Sequence, residues 1–291
     1  MNHPPLKIYA ALAAALLMWA ASFPAVKVAM ASFGPAELAL FRFAISTVAL
    51  MAYANHRGLP QPELADMPRL AIVGLLCVTT YQLGLNYGMQ TVSSGPAAVL
   101  VDSVPLWAGL ISAWMLKERI GIWGWAGLLL GFAGAVLIAM GEGGGGFQLD
   151  RGVWLLLMAA IAFALSNVVQ KPLLPKYGAV VVTAWSFLFG TLGLIWAAPG
   201  LLPQVEVAPR AAMLWVLFLA VAPGMLAYLW WNVALAHLPV AVVSSCLYLI
   251  PPLTFLIAWI GLGEVPGLTA WIGGAVALAG VALVQYKGRS T

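Results

Sequence analysis

The sequence is short of charge. Only 8% of its 291 residues are Asp, Glu, Lys or Arg, where a soluble domain carries roughly 25%. A water-soluble globule of this length could not cover its surface with so few. Cysteine is scarce as well: Cys77 and Cys246 both lie inside apolar runs, which argues against a disulfide framework and leaves the redox compartment open. The three histidines, His3, His56 and His237, fall at tails or loops. There is no H-E-x-x-H run, no His/Cys cluster to suggest a metal, and no G-x-x-x-x-G-K-[ST] run to hold a nucleotide. These absences exclude an ordinary cytosolic enzyme, a disordered chain and a DNA-binding domain, and no cofactor is expected.

What is present is apolar. Hydrophobic residues make up 63% of the chain and the mean hydropathy is +0.99. A helix crosses a bilayer core with about 20 residues, so about ten spans use roughly 200 residues and leave no room for a soluble domain. The runs are continuous and rich in Ala, Leu and Gly, unlike the alternating strands of a barrel. The chain therefore reads as an all-α integral membrane protein. Its spans are Ile8–Met30, Glu37–Tyr53, Leu70–Met89, Pro96–Leu116, Ile122–Met140, Gly152–Leu174, Val180–Ala198, Ala211–Leu235, Val240–Leu262 and Leu268–Tyr286. The first is longer than a usual signal-peptide core, so it is expected to stay as a span. Gly34-Pro35, Gly58-Leu59-Pro60, Pro199-Gly200 and Pro266-Gly267 mark turns.

The glycine run at 141–146 lies near the middle and prompts a search for a repeat. An offset of 144 sets Trp19-Ala20-Ala21-Ser22 on Phe163-Ala164-Leu165-Ser166, Lys27 on Lys171, and Phe43 on Phe187. An offset of 146 sets Asn86 on Asn232, Pro105 on Pro251, Glu118 on Glu264, and Trp125 on Trp271. The expected organisation is two five-helix repeats, 1–141 and 152–291, joined by a linker at 142–151. Five is odd, so equivalent helices run in opposite directions and the repeats are inverted. On the side of the N-terminus lie Lys7, Arg57, Arg69, Lys117, Arg119, Lys171, Lys176, Lys287 and Arg289; opposite lie Lys27, Arg151 and Arg210. That bias places both termini in the cytoplasm. The basic balance of +4 is thus a topology signal and not a nucleic-acid signal.

Two charges fall inside spans, where each is costly unless solvated or paired. Asp102 reads either as a ligand for an ammonium or a coupling proton, or as the structural partner of Arg42, at a comparable depth. Polar stripes follow helical spacing: Gln82, Asn86 and Gln90; Tyr228 and Asn232; Ser244 and Tyr248. Ser22 and Ser166 are repeat partners. Such groups either bond a neighbouring helix or line a wet cavity. Trp19, Tyr81, Phe163, Tyr228, Trp231 and Tyr248 recur at these levels and suit a wall for a flat or apolar group, while Trp123, Trp154, Trp215 and Trp271 fit an interface belt. Lys27 and Lys171 read as snorkelling to headgroups, and Glu118 and Glu264 as locally paired helix ends. Small residues dominate Ile122–Met140 and Leu268–Tyr286, which read as outer packing helices. Pro24, Pro105, Pro223 and Pro251-Pro252 are expected to bend their spans.

These features resemble the EamA-type branch of the drug/metabolite transporter superfamily. The resemblance covers nearly the whole chain. Its most specific pieces are Trp19-Ala20-Ala21-Ser22-Phe23-Pro24 with Lys27, Phe41-Arg42-Phe43, Pro105 to Leu116-Lys117-Glu118-Arg119, and Pro251 to Leu262-Gly263-Glu264. The second half departs from the pattern, with Ser186 where the first has Arg42. The resemblance implies an inner-membrane exporter of small metabolites, amino acids among them, with the site between the halves and no ATP. Its partners would be a small-molecule substrate and the lipid bilayer. The oligomeric state is left open and is compatible with a monomer. Nucleotide-sugar carriers of the same superfamily would want more cationic side chains than this chain offers.

Overall fold

A computed structural model describes residues 6–92, 94–141, 151–262 and 267–287. The linker at 142–150, Glu264 and Arg289 lie outside the described residues, as does the side chain of Lys27. In the first half the helices are α1 (Leu6–Ala29), α2 (Pro35–His56), α3 (Met67–Gly74), α4 (Tyr81–Gly88), α5 (Ser94–Val101), α6 (Val104–Met115) and α7 (Ile122–Gly141). In the second they are α8 (Arg151–Gln170), α9 (Leu174–Leu192), α10 (Ala198–Val207), α11 (Arg210–Leu219), α12 (Ala227–His237), α13 (Val240–Ser245), α14 (Ile250–Leu262) and α15 (Leu268–Lys287). Among the described residues, five helical runs are long and apolar enough to cross a membrane: Pro35–His56, Leu64–Gly88, Arg151–Leu192, Arg210–His237 and Leu268–Tyr286. Four shorter apolar helices, Leu6–Ser22, Val99–Met115, Ile122–Ile138 and Val240–Thr254, accompany them.

Local chemistry explains the boundaries. Gly34 is extended and Pro35 opens α2 at its first turn, where a missing N–H costs nothing. Gly58, at φ +60°, ends it. Pro199-Gly200 was expected to turn the chain, but Pro199 instead occupies the first turn of α10, a position that starts helices as readily as it stops them. The span Pro96–Leu116 is not one helix: it breaks at Asp102 and Ser103, between α5 and α6. Pro105 cannot donate a backbone N–H, and the Ser103 hydroxyl takes the Leu100 carbonyl at 2.5 Å. The repeat-equivalent stretch Cys246–Leu249 tightens to a 3-10 turn between α13 and α14.

The chain forms two compact units, 1–86 with 169–237, and 87–168 with 238–291. Each unit draws on both sequence halves. In the first, α1 packs on α11 and α12, α2 on α9, and α3 on α9. An apolar cluster of Ala25, Ala29, Phe33, Leu38, Ala212, Val216 and Leu219 closes one end. Lys176 pairs with Glu63 and Asp66, each at 2.8 Å. In the second unit α7 and α15, repeat partners, make the most extensive contact. A Cβ at Gly127 would meet the Gly280 carbonyl at 2.8 Å, and one at Gly134 would run into the Ala277 backbone. The Glu118 carboxylate accepts the Val240 N–H at 3.0 and 3.1 Å, capping α13 from the far end of α6.

Candidate functional site

The first unit is built around two irregular stretches. Leu75–Thr80 and Ala220–Leu226 are both π-helical, and the 146-residue offset sets one on the other. Such bulges are rare and often functional. In the second copy Pro223 removes an N–H, and two side chains take up carbonyls of the stretch. The Ser46 hydroxyl donates to the Ala220 carbonyl at 2.7 Å, and the Trp19 indole N–H to the Pro223 carbonyl at 3.0 Å. The side chains that follow the bulges are Tyr81 and Gln82 in one half and Tyr228 in the other.

Those side chains meet. Tyr228 and Gln82, related by the offset, share a hydrogen bond. The Trp19 ring lies 5.3 Å from Tyr228 and 5.1 Å from Trp231. Phe187 stands edge-on to Tyr228 at 5.2 Å and to its own repeat partner Phe43 at 5.0 Å. Thr47 and its partner Thr191 share a hydrogen bond at 2.9 Å. Three pairs of repeat-equivalent residues thus touch each other, which makes a seam of matched residues inside this unit. Arg42 is buried beside it, with its guanidinium 4.9 Å over the Phe43 ring and Tyr228 and Tyr81 within electrostatic reach.

The amides one turn further on brace the wall. Asn86 donates to the Pro35 carbonyl at 2.9 Å. Asn232 donates to Thr183 Oγ1 at 2.9 Å, and Thr183 in turn to the Ala179 carbonyl at 2.7 Å. Ala179 is the repeat equivalent of Pro35 and follows the kink at Gly178 (φ +78°) inside α9, so one asparagine secures the start of α2 directly and the other the point where α9 resumes, through a threonine. Ser22 donates to the Trp19 carbonyl at 2.7 Å, and Ser166 to the Phe163 carbonyl at 2.8 Å. Both hydroxyls are spent within their own helix, a use that bends helices. Of the expected residues, Trp19, Arg42, Tyr81, Gln82, Tyr228 and Trp231 come together here. Phe43, Phe187, Thr47 and Thr191 were not expected at a site, although the 144 offset had flagged the Phe pair.

Ser22, Asn86 and Asn232 lie in the same first unit, whereas Asp102, Phe163, Ser166, Ser244 and Tyr248 belong to the second. Asp102 is buried in the break between α5 and α6. Its repeat equivalent, Tyr248, is fully buried in the matching 3-10 turn and within electrostatic reach of it. Among the described residues the Tyr248 and Ser244 hydroxyls have no hydrogen-bond partner. A Cβ at Gly131 would collide with the Tyr248 ring, so α7 presses its backbone directly on that ring. Phe163 and Ser166 are buried on α8. Arg42 and Asp102 fall in different units.

Comparison with known proteins sets this geometry in a family. The EamA-like transporter family matches twice, over residues 6–140 and 150–286. A protein of Streptantibioticus cattleyicolor named "Probable terminal-alkyne amino-acid exporter" is 33% identical over 95% of this chain and 93% of its own. "Uncharacterized transporter YdfC" of Bacillus subtilis is 29% identical over 93% of this chain and 88% of its own. A solved structure titled "Crystal structure of protein" superposes with a TM-score of 0.77 at 20% identity, covering 98% of this chain and 99% of its own, a likeness of fold alone. Two family matches, one in each half, with a relative above 30% identity along nearly the whole length, leave one conclusion: the chain belongs to the EamA-like transporter family.

Proposed function

We propose that the chain is an inner-membrane secondary transporter that exports small metabolites, chiefly amino acids and aromatic ones among them, by alternating access of two inverted repeats. Ten crossings, halves 1–141 and 152–291, and cytoplasmic termini complete the reading. One observation carries it: the rings of Trp19, Phe43, Phe187, Tyr228 and Trp231 cluster inside the first unit, with Gln82 bonded to Tyr228 and Arg42 over Phe43. A bundle that only had to stand in lipid would fill such a space with Leu and Ala. Flat apolar side chains stack on rings, and amides and a guanidinium suit the polar end of an amino acid. The name of the Streptantibioticus relative supports the same substrate class. In the second unit Asp102, within electrostatic reach of Tyr248, is a charged position for an ammonium or a coupling ion.

The test is counterflow in proteoliposomes over a panel of amino acids. A carrier shows uptake stimulated by substrate on the far side, and aromatic amino acids should stimulate most. Trp19→Ala and Asp102→Asn should each cut the rate by about tenfold with normal insertion. Stimulation by no amino acid would sink the substrate class, and flux without trans-stimulation would make the protein a pore.

A further inference from the structure

We infer that Arg42 is the carboxylate subsite of the transporter, reading an anionic carboxyl group on substrates whose apolar part lies against Trp19, Tyr228 and Trp231. The inference rests on the transporter reading above and names the recognised group at that same site.

Three observations converge on it. First, Arg42 is 7% exposed, and among the described residues no acid forms an ion pair with it. The acids of its own unit are engaged or placed elsewhere: Glu63 and Asp66 hold Lys176, Glu37 lies by Gly34 and Gly200, and Glu206 is exposed. A cation inside a span costs a few kcal/mol or more. The Phe43 face offsets part of that and accepts none of the directional bonds. Second, the guanidinium carries five N–H donors, and among the described residues its Nε has no hydrogen-bond partner. A planar fork of donors with no acceptor matches a carboxylate two bonds at a time. A phosphate ester would call for more than one cation. Third, the surroundings are symmetric and Arg42 is not. Phe43 with Phe187, Thr47 with Thr191, and Gln82 with Tyr228 meet their own repeat equivalents. The same offset sets Arg42 on Ser186, which is buried with an unpartnered hydroxyl. A ligand without an anionic end would find two nearly equivalent ways to lie against these rings. A carboxylate finds only one, toward α2, so the single charge fixes the orientation of the bound molecule.

The inference separates the two ends of an amino acid. Purified protein in proteoliposomes is loaded with L-phenylalanine, and counterflow of labelled L-phenylalanine is competed with 3-phenylpropionate, which lacks the ammonium, and with phenethylamine, which lacks the carboxylate. The wild type should be inhibited by 3-phenylpropionate, and phenethylamine should compete at least about tenfold more weakly. Arg42→Gln should lose phenylalanine affinity by about tenfold or more, and Arg42→Lys should recover part of it. The wild-type competition needs no variant, so a misfolded Arg42→Gln leaves the test intact. Phenethylamine competing as well as 3-phenylpropionate, or a folded Arg42→Gln with unchanged affinity, overturns the subsite even if amino acids are transported. A direct uptake arm with labelled 3-phenylpropionate covers the converse. If 3-phenylpropionate moves and no amino acid does, the subsite stands and amino-acid export falls. If neither carboxylate is recognised, the subsite falls.

Discussion

Ser46 shows how one side chain can support an irregular backbone. Its hydroxyl sits 2.7 Å from the Ala220 carbonyl and 2.9 Å from the Arg42 carbonyl, joining α2 to the start of the second π-helical stretch. Hydrogen bonds between membrane helices average about 0.6 kcal/mol and reach about 1.7. Ser46→Ala removes a donor and leaves a buried carbonyl, so it should cost about 1 kcal/mol and lower the melting temperature in detergent. An unchanged melt would mean that the stretch needs no such support. Residue-level reading of the sequence found the polar positions but not their employment. Ser22 and Ser166 look like wall residues by spacing, yet each bonds a carbonyl three residues back. Asn232 looks like Asn86, yet it reaches the point where α9 resumes only through Thr183, because Thr183 stands where the first half has Ala39. These differences depend on rotamers and neighbours that periodicity does not encode.

At the scale of elements, the legible features were those written in proline and glycine. Pro105 and Pro251 announced matched bends, and both spans are broken within four residues of them. The π-helical pair was harder to see: Pro223 marks one copy, while its equivalent, Cys77, carries no backbone signal. The small residues of α7 and α15 promised close packing, and the two helices do pack on each other. That gives a sharp contrast between glycines. A Cβ at Gly134 meets the Ala277 backbone, which cannot rotate away, whereas one at Gly274 finds only Pro252 at 3.7 Å. Gly134→Ala should destabilise the protein by about 1–3 kcal/mol, and Gly274→Ala should be neutral or slightly stabilising through helix propensity. Thermal unfolding of the two variants side by side reads the difference, and equal melts would contradict the close approach of α7 and α15.

The whole molecule departs furthest from what a linear reading suggests. Composition established the class, and paired residues such as Asn86 with Asn232 exposed the duplication. Neither says which helices pack together, because contact between elements far apart in the chain leaves no periodic trace. The compact units cut across the halves, taking 1–86 with 169–237 and 87–168 with 238–291. Each half alone would hold pieces of both units and complete neither. Expressed separately, 1–141 and 152–291 should be degraded or aggregate, and expressed together they should restore transport. Activity from either half alone would contradict this interleaving.

That interleaving also sets a timetable for synthesis. Thr47 enters the bilayer 144 residues before Thr191, and Gln82 precedes Tyr228 by 146. At roughly 5–20 residues per second, each early partner waits about 7–30 s for its counterpart. During that interval α2 and α4 hold polar side chains, Arg42 included, that the finished protein shelters. The nascent chain thus needs a protected niche beside the insertion machinery until the second half arrives, and slow elongation between residues 90 and 190 would lengthen its exposure to membrane proteases.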